Sequence, residues 1–169
     1  MEVDDYRGKK VLVVGAGKSG VAAAEVLVRL GAEVTICDIK PPEELGSTFE
    51  YLQKLPVGVV AGGYGSPREL GSDLVVVSPG VPLSVEPVRE AKYSGIPVIG
   101  ELELACRLAR GEIVAVTGTN GKTTTTALIG HIFKEAGYQV VVGGNIGLPL
   151  IKESLSTDER SALVVEVSS

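Results

Sequence analysis

The chain has 169 residues, of which 44% are hydrophobic and 22% charged, with a formal net charge of −5 and a pI of about 5.0. This length suits one domain, or one complete domain and part of another, and the composition is that of a globular protein with a buried core. The acidic balance provides no basic field for nucleic acid or an anionic membrane. No apolar run approaches the ~18 residues of a membrane span, and the N-terminus lacks the apolar core of a signal peptide, so we expect a cytoplasmic protein.

Short Val-rich runs alternate with helical patterns along the chain. Each run is almost continuously apolar, which is typical of strands covered on both faces. The predicted strands are Lys10–Val14, Glu33–Cys37, Val57–Ala61, Leu74–Val77, Pro97–Ile99, Ile113–Val116, Gln139–Val142 and Leu163–Val167. Helices are predicted at Ser19–Leu30, after Pro41-Pro42 and at Glu101–Ala109, and Gly62–Gly71 is predicted to be a loop. This alternation predicts an α/β fold with parallel sheets flanked by helices.

A glycine-rich segment, GAGKSG from Gly15 to Gly20, follows the first strand and opens the first helix. Asp38 ends the second strand, about 20 residues further on. This combination is the dinucleotide fingerprint, in which a glycine loop at a helix N-terminus accepts a diphosphate and the acid accepts a hydrogen bond from a ribose or a base. Taken alone, these residues favour a Rossmann-like domain that binds NAD.

The cysteines and the single histidine give no sign of a metal site. Cys37 and Cys106 lie far apart in the sequence, which predicts two reduced, buried, structural side chains. His131 lies in a helical pattern with no obvious partner, so we also expect it to be structural.

Arg110-Gly111 interrupts the helical pattern before the sixth predicted strand, and a domain boundary is predicted there. The two domains are then residues 1–109, with about five strands, and residues 110–169, with three. Three parallel strands make a poor independent sheet. We therefore expect the second domain to be the first part of a truncated domain, cut just after a strand end.

The segment TGTNGKT, from Thr117 to Thr123, lies between a predicted strand and a predicted helix. Backbone N–H groups of such a loop surround a phosphate, and Gly118 and Gly121 let the backbone come close. Lys122 supplies a positive charge for the β- and γ-phosphates, and the Thr123 hydroxyl can bind Mg²⁺. Val116 stands where the common pattern has its first glycine, so this is a variant phosphate loop for a nucleoside triphosphate.

The variant TGTNGKTTTT, together with GGNIG at Gly143–Gly147 and EVSS at Glu166–Ser169, resembles the central ATPase domain of the Mur ligases. These are cytoplasmic enzymes that build the peptidoglycan stem peptide. VLVVGAGKSG, VVVSPGVP and IGELELACRL in the first domain are most similar to the family members that add D-glutamate to UDP-N-acetylmuramoyl-L-alanine. The resemblance runs over essentially the whole chain, and it implies ATP and Mg²⁺ as cofactors.

The resemblance implies a role for several residues in the second domain. Glu166 would bind Mg²⁺ together with Thr123, and Lys122 and Glu166 would be the catalytic residues. Asn145 and Ser168 would lie near the substrate or metal-bound water. The ATP-binding set is Thr117, Gly118, Thr119, Asn120, Gly121, Lys122, Thr123 and Thr124.

In the first domain the resemblance implies UDP rather than NAD. Lys18 and Ser19, beside Gly15, would face the diphosphate. Asp38, Ile39 and Lys40 would face the uridine, with Ile39 contributing only its backbone because family members often carry a hydroxyl residue there. Ser78 and Gly80, directly after the fourth strand, would border the sugar side of the same crevice.

The implied reaction transfers the ATP γ-phosphoryl group to the L-alanine carboxylate, and the D-glutamate amine attacks the resulting acyl phosphate. Family members continue well beyond this length, and their later regions hold the amino acid. We therefore expect this chain to lack ligase activity by itself. Two alternatives stay open: another Mur ligase, such as the L-alanine-adding enzyme, and a non-catalytic module whose first domain takes NAD.

Overall fold

The computed structural model describes residues 6–144 and 149–167. Contacts divide the chain into two compact units, Met1–Glu101 and Leu102–Ser169. Both units contain a parallel sheet flanked by helices, which confirms the predicted α/β class. None of the helices in the described ranges combines the length and the apolar composition that a bilayer span requires.

The first unit is built on a five-stranded parallel sheet with the strand order β3-β2-β1-β4-β5. The order reverses at β1, which has β2 on one side and β4 on the other, and a crevice forms at the carboxyl ends of the strands where such a reversal occurs. In chain order its elements are β1 Lys10–Val14, α1 Lys18–Arg29, β2 Glu33–Asp38, α2 Pro42–Leu45, α3 Ser47–Leu52, β3 Gly58–Ala61, β4 Leu74–Val77, α4 Glu86–Tyr93 and β5 Val98–Gly100.

The core of the first unit lies on the central strands and the inner face of α1. All four residues of β4 and the apolar residues of β1 are buried. Helix α1 covers them with Ala22, Ala23, Ala24, Val26 and Leu27, all of which are buried. Because Val14 pairs with Cys37 on one side and with Val77 on the other, the carboxyl ends of β1, β2 and β4 lie level with one another.

The second unit has a three-stranded parallel sheet with the order β6-β8-β7. Its central strand, β8, is buried along its whole length, whereas β6 and β7 are partly exposed. In chain order the elements are α5 Glu101–Leu108, β6 Glu112–Val116, α6 Lys122–Glu135, β7 Gln139–Gly144, α7 Leu150–Ser154 and β8 Ser161–Glu166. Register brings Val116 and Gly144 level with Glu166 at the carboxyl ends.

The division between the units falls at Glu101 and Leu102, whereas the sequence pattern suggested residues 109 and 110. The backbone N–H of Arg110 donates to Thr157 Oγ1 at 2.8 Å, which ties the end of α5 to the second unit. The Arg110-Gly111 break therefore marks the end of a helix, and the helix itself groups with the chain that follows it.

Candidate nucleotide-binding sites

The first glycine loop runs from Gly15 to Gly20 at the carboxyl end of β1 and leads into α1. Gly15 has a positive φ of 100°, which an L side chain rarely adopts. Gly17 is the N-cap of α1, and no side chain caps this helix end. The Val21 N–H donates the first helical hydrogen bond to the Gly17 carbonyl, so the amides before it have no partner within the helix. Amides at such a helix N-terminus are a common binding place for anions in proteins.

Asp38 and Ser78 reach this loop from the two strands that flank β1. Asp38 Oδ2 accepts the Ala16 N–H at 2.7 Å, and Asp38 Oδ1 accepts the Lys40 N–H at 2.9 Å. On the other side, Ser78 Oγ donates to the Gly15 carbonyl at 2.8 Å. The structure thus brings Gly15, Asp38 and Ser78 together at one edge of the sheet.

Other residues predicted to bind UDP lie on the same edge with more exposed side chains. Lys18 is exposed and Ser19 half-buried in the first turn of α1. Ile39 is 63% exposed and Lys40 is exposed after β2, while Gly80 turns the chain after β4 with a φ of 87°. Their roles toward a ligand stay predictions.

The second glycine loop joins β6 to α6, as the sequence predicts. Gly118 and Gly121 both have positive φ, at 149° and 76°, so both use the conformational freedom that a glycine provides. Gly121 is the N-cap of α6, and it accepts the first helical hydrogen bond from the Thr125 N–H at 2.9 Å. The loop therefore directs the N-terminus of a 14-residue helix toward the space above it.

Lys122 lies back over its own loop. Its Nζ donates to the Gly118 carbonyl oxygen at 2.7 Å, and the residue is half-buried. The helix turn that carries Lys122 is held by Thr126, whose Oγ1 donates to the Lys122 carbonyl at 2.8 Å. The ammonium group is therefore positioned at the loop and has one hydrogen bond that a phosphate oxygen can replace.

Thr123 and Glu166 meet across the carboxyl edge of the second sheet. Thr123 Oγ1 donates to Glu166 Oε2 at 2.9 Å, and Glu166 is only 9% exposed. The residue after Glu166 is also hydrogen-bonded to β6: the Val167 N–H donates to the Val116 carbonyl at 2.9 Å. Sequence reasoning predicted this pair, and the structure brings its two members into contact.

The Thr123–Glu166 pair has the donor chemistry that suits Mg²⁺. A hydroxyl and a carboxylate are hard oxygen ligands, and Mg²⁺ usually takes one or two protein ligands and completes its shell with phosphates and water. Within the described ranges no group of three or more His, Cys, Asp or Glu side chains forms a metal cluster. A two-ligand site that needs a bound phosphate is the arrangement these residues fit.

The remaining predicted residues of the second unit are more dispersed. Thr117, Thr119, Asn120 and Thr124 are exposed around the loop and the first turn of α6. Asn145 and Ser168 lie outside the described residues.

The cysteines and His131 have no predicted binding role, although the Cys37 carbonyl accepts the Gly15 N–H of the first loop at 2.7 Å. Neither cysteine is in a disulfide bond. Burial raises the pKa of the Cys37 thiol, so Cys37 is an inert buried side chain, as predicted. Cys106 is only half-buried, which departs from the prediction because its helix is covered on one side. His131 is exposed on α6.

Sequence reasoning gave no role to Gly20, the third glycine of the first loop. A Cβ at this position would stand 1.9 Å from the Gly15 carbonyl oxygen and 2.5 Å from Ser78 Oγ. The third glycine of the fingerprint is the one that permits close packing of helix and strand, which is the signal that could have revealed it.

Comparison with known families follows the same division. The sequence profile of the "Mur ligase MurD-like, N-terminal domain" matches residues 9–100, more than half of the chain. The chain belongs to the Mur ligase family. The profile of the "Mur ligase middle domain" matches residues 116–169, which include the second glycine loop and Glu166.

Curated Mur ligases align with almost all of this chain. It is 54% identical over 165 residues to the UDP-N-acetylmuramoylalanine--D-glutamate ligase of Pelotomaculum thermopropionicum, covering 98% of this chain and 36% of that ligase. It is 47% identical over 169 residues to the ligase of the same name from Alkaliphilus metalliredigens, covering 98% of this chain and 37% of that protein. The chain thus spans little more than a third of the length of these relatives.

Among solved structures, a pseudomurein peptide ligase type C from Methanothermus fervidus is similar to this Mur ligase chain with a TM-score of 0.51 and 24% identity. The match covers 96% of this chain and 33% of that one. At this identity the similarity supports the fold alone.

Proposed function

We propose that this chain supplies the UDP-binding and ATP-binding parts of a cytoplasmic ligase that adds D-glutamate to UDP-N-acetylmuramoyl-L-alanine. The observation that carries the proposal is the second glycine loop, where Lys122 lies over the loop and Thr123 contacts the buried Glu166. The D-glutamate ligases among its relatives supply the substrate assignment.

The second unit takes the triphosphate in this proposal. Phosphoryl transfer requires mainly that charges and hydrogen-bond donors are correctly positioned around the transferred group. Lys122 exchanges its bond to the Gly118 carbonyl for the β- and γ-phosphate oxygens, and the amides of the loop and of the first turn of α6 donate to the phosphates. Thr123 and Glu166 would hold Mg²⁺, which would supply positive charge to stabilise the phosphates during the transfer.

The first unit takes the UDP group. Its glycine loop offers uncapped first-turn amides to the diphosphate, and Lys18 adds a positive charge at the same helix end. Both Asp38 oxygens accept backbone N–H groups, which fixes the carboxylate beside the loop. The relatives are named for a UDP-linked substrate, and this favours UDP over NAD.

The proposed reaction has two steps. The γ-phosphoryl group of ATP moves to the L-alanine carboxylate, which gives ADP and an acyl phosphate. The D-glutamate amine then attacks the acyl carbon, forms the amide and releases phosphate. The residues described here act in the first step, and the regions that bind D-glutamate belong to the rest of the relatives' length.

A chimera tests this function. This chain replaces the matching part of the P. thermopropionicum ligase, and phosphate release is measured with ATP, Mg²⁺, UDP-N-acetylmuramoyl-L-alanine and D-glutamate. We expect release only when all four are present. Lys122→Ala in the same chimera is the control, with circular dichroism to show that both versions fold. A folded chimera that releases no more phosphate than its Lys122→Ala version would refute the proposal.

A further inference from the structure

Two side chains hold opposite sides of a single peptide group in the first glycine loop. The Gly15 carbonyl and the Ala16 N–H belong to the same peptide bond. Ser78 Oγ donates to that carbonyl at 2.8 Å, and Asp38 Oδ2 accepts that N–H at 2.7 Å. Because a peptide group is planar, hydrogen bonds at both of its polar atoms fix the direction of the whole plane.

The holding side chains are themselves fixed. Asp38 Oδ1 accepts the Lys40 N–H, so both carboxylate oxygens are engaged with the backbone. Ser78 is 6% exposed, and its own N–H donates to the Val14 carbonyl at 2.9 Å. The absence of a Cβ at Gly20 leaves room for the Ser78 hydroxyl under the first turn of α1.

We propose that Asp38 and Ser78 are positioning residues for the diphosphate, acting together through the Gly15–Ala16 peptide rather than by contacting the uridine and the sugar separately. This inference rests on the proposed UDP site. The clamped peptide sets the path of the chain into Gly17 and the first turn of α1, whose amides receive the diphosphate. The two residues come from the strands on either side of β1, so the loop is fixed across the point where the strand order reverses.

Binding measurements on the full 169-residue chain test the pairing. Asp38→Asn, Ser78→Ala and the double variant are titrated with UDP and with inorganic pyrophosphate. Each single change is expected to weaken binding of both ligands by about tenfold, the effect of one strong hydrogen bond. The double variant is expected to lose little more than one single variant, since either change already frees the same peptide.

Asp73→Asn is the matched control. Asp73 Oδ2 accepts the Lys10 N–H at 2.8 Å, which is the same type of contact at the opposite end of β1. This variant is expected to bind UDP and pyrophosphate within twofold of the wild type. Losses that multiply in the double variant, or a loss with UDP that pyrophosphate does not share, would overturn the inference because they indicate separate contacts with the nucleotide.

The Ala16 amide signal in ligand-free protein provides a second readout that is independent of binding. A hydrogen bond to a carboxylate is strong and deshields the amide proton. Asp38→Asn and Ser78→Ala are both expected to move this signal, and Asp73→Asn is not. An unmoved signal in Asp38→Asn would disprove the clamp itself. Wild-type protein that bound neither UDP nor pyrophosphate would instead refute the proposed function of the first unit, and with it the diphosphate role.

Discussion

The two glycine loops of this chain are held in different ways. The first loop is fixed by Asp38 and Ser78, which reach it from neighbouring strands. In the second loop the predicted binding residues themselves make the contacts. Lys122 donates to the Gly118 carbonyl, and Thr123 donates to Glu166 at the end of β8. Under the proposed function, the first loop keeps these contacts when its ligand binds, whereas Lys122 in the second loop exchanges its bond to the Gly118 carbonyl for a phosphate oxygen.

The helices behind the two loops differ in burial. Helix α1 buries a continuous apolar face against its sheet. In α6 only Thr126 and Gly130 are buried, and Leu128 and Ile132 are 58% and 57% exposed. Packing rather than intrinsic propensity supplies most of a helix's stability. More side chains of the first unit contribute to a core. We therefore expect side-chain deletions to lower the free energy of unfolding more in the first unit than in the second.

The largest predicted effect is a difference between two leucines. Leu27 in α1 is fully buried, so Leu27→Ala is expected to lower the free energy of unfolding of the first unit by about 3 kcal/mol. Leu128→Ala in α6 is expected to change stability by less than about 0.5 kcal/mol, since most of that side chain is already in water. Native-state hydrogen exchange reads the two units separately. Equal losses in both variants would show that the burial contrast does not control stability.

Glycine substitutions give the next effect. Gly20→Ala places a Cβ against a backbone oxygen that cannot rotate away, and we expect a loss of about 2 kcal/mol in urea unfolding together with loss of UDP binding. A Cβ at Gly17 meets nothing within 4 Å, so Gly17→Ala is the stability control, at less than about 1 kcal/mol.

The same substitution in α6 extends the comparison of the two helices. A Cβ at Gly130 meets a methyl group of Val142 at 2.7 Å, but Val142 is 51% exposed and can move. The gain in helix propensity offsets that adjustment, and Gly130→Ala is expected to be near neutral. If Gly20→Ala were as stable as the wild type, or if Gly130→Ala lost as much stability as Gly20→Ala, the predicted difference between the two helices would be wrong.

Thr123→Val is expected to have a smaller effect on stability than Leu27→Ala or Gly20→Ala. It removes the hydrogen bond to Glu166 and should cost about 1 kcal/mol in the unfolding of the second unit. Its main consequence is expected in binding, where Mg²⁺ should no longer strengthen the affinity for ATP. Thr125→Val, at an exposed position one helical turn from the loop, is the matched control. If Mg²⁺ strengthened ATP binding equally in both variants, Thr123 would not be a metal ligand.

The strands of the fold could be predicted from the sequence because they form continuous apolar runs, whereas helices α4 and α7 were not predicted. β1 and β4 begin and end where predicted, and the other strands differ by one or two residues at their ends. The helix expected after Pro41-Pro42 is divided into α2 and α3, because Gly46 between them has a φ of 52°. A glycine inside a short helical pattern gives no sign of the backbone angle it will take.

The sites were predictable in part, for a related reason. Residue types and spacing predict the two glycine loops, and the level strand ends explain the Thr123–Glu166 contact. The same patterns cannot give the direction of a side chain. Asp38 and Ser78 were therefore predicted to face a ligand, and their hydrogen bonds to the Gly15–Ala16 peptide became visible only in three dimensions.

Calorimetric titration of the chain and its Lys122→Ala variant with ATP·Mg²⁺, with UDP and with NAD tests the central claim most directly. The claim is that the two units bind two different phosphorylated ligands through separate loops. Loss of a charged hydrogen bond predicts at least a tenfold fall in ATP affinity, about 1.4 kcal/mol or more, with UDP affinity within twofold of the wild type. Lys134→Ala, at an exposed lysine near the end of α6, should change neither affinity. Unchanged ATP binding in Lys122→Ala, or a preference of the first unit for NAD over UDP, would contradict the account.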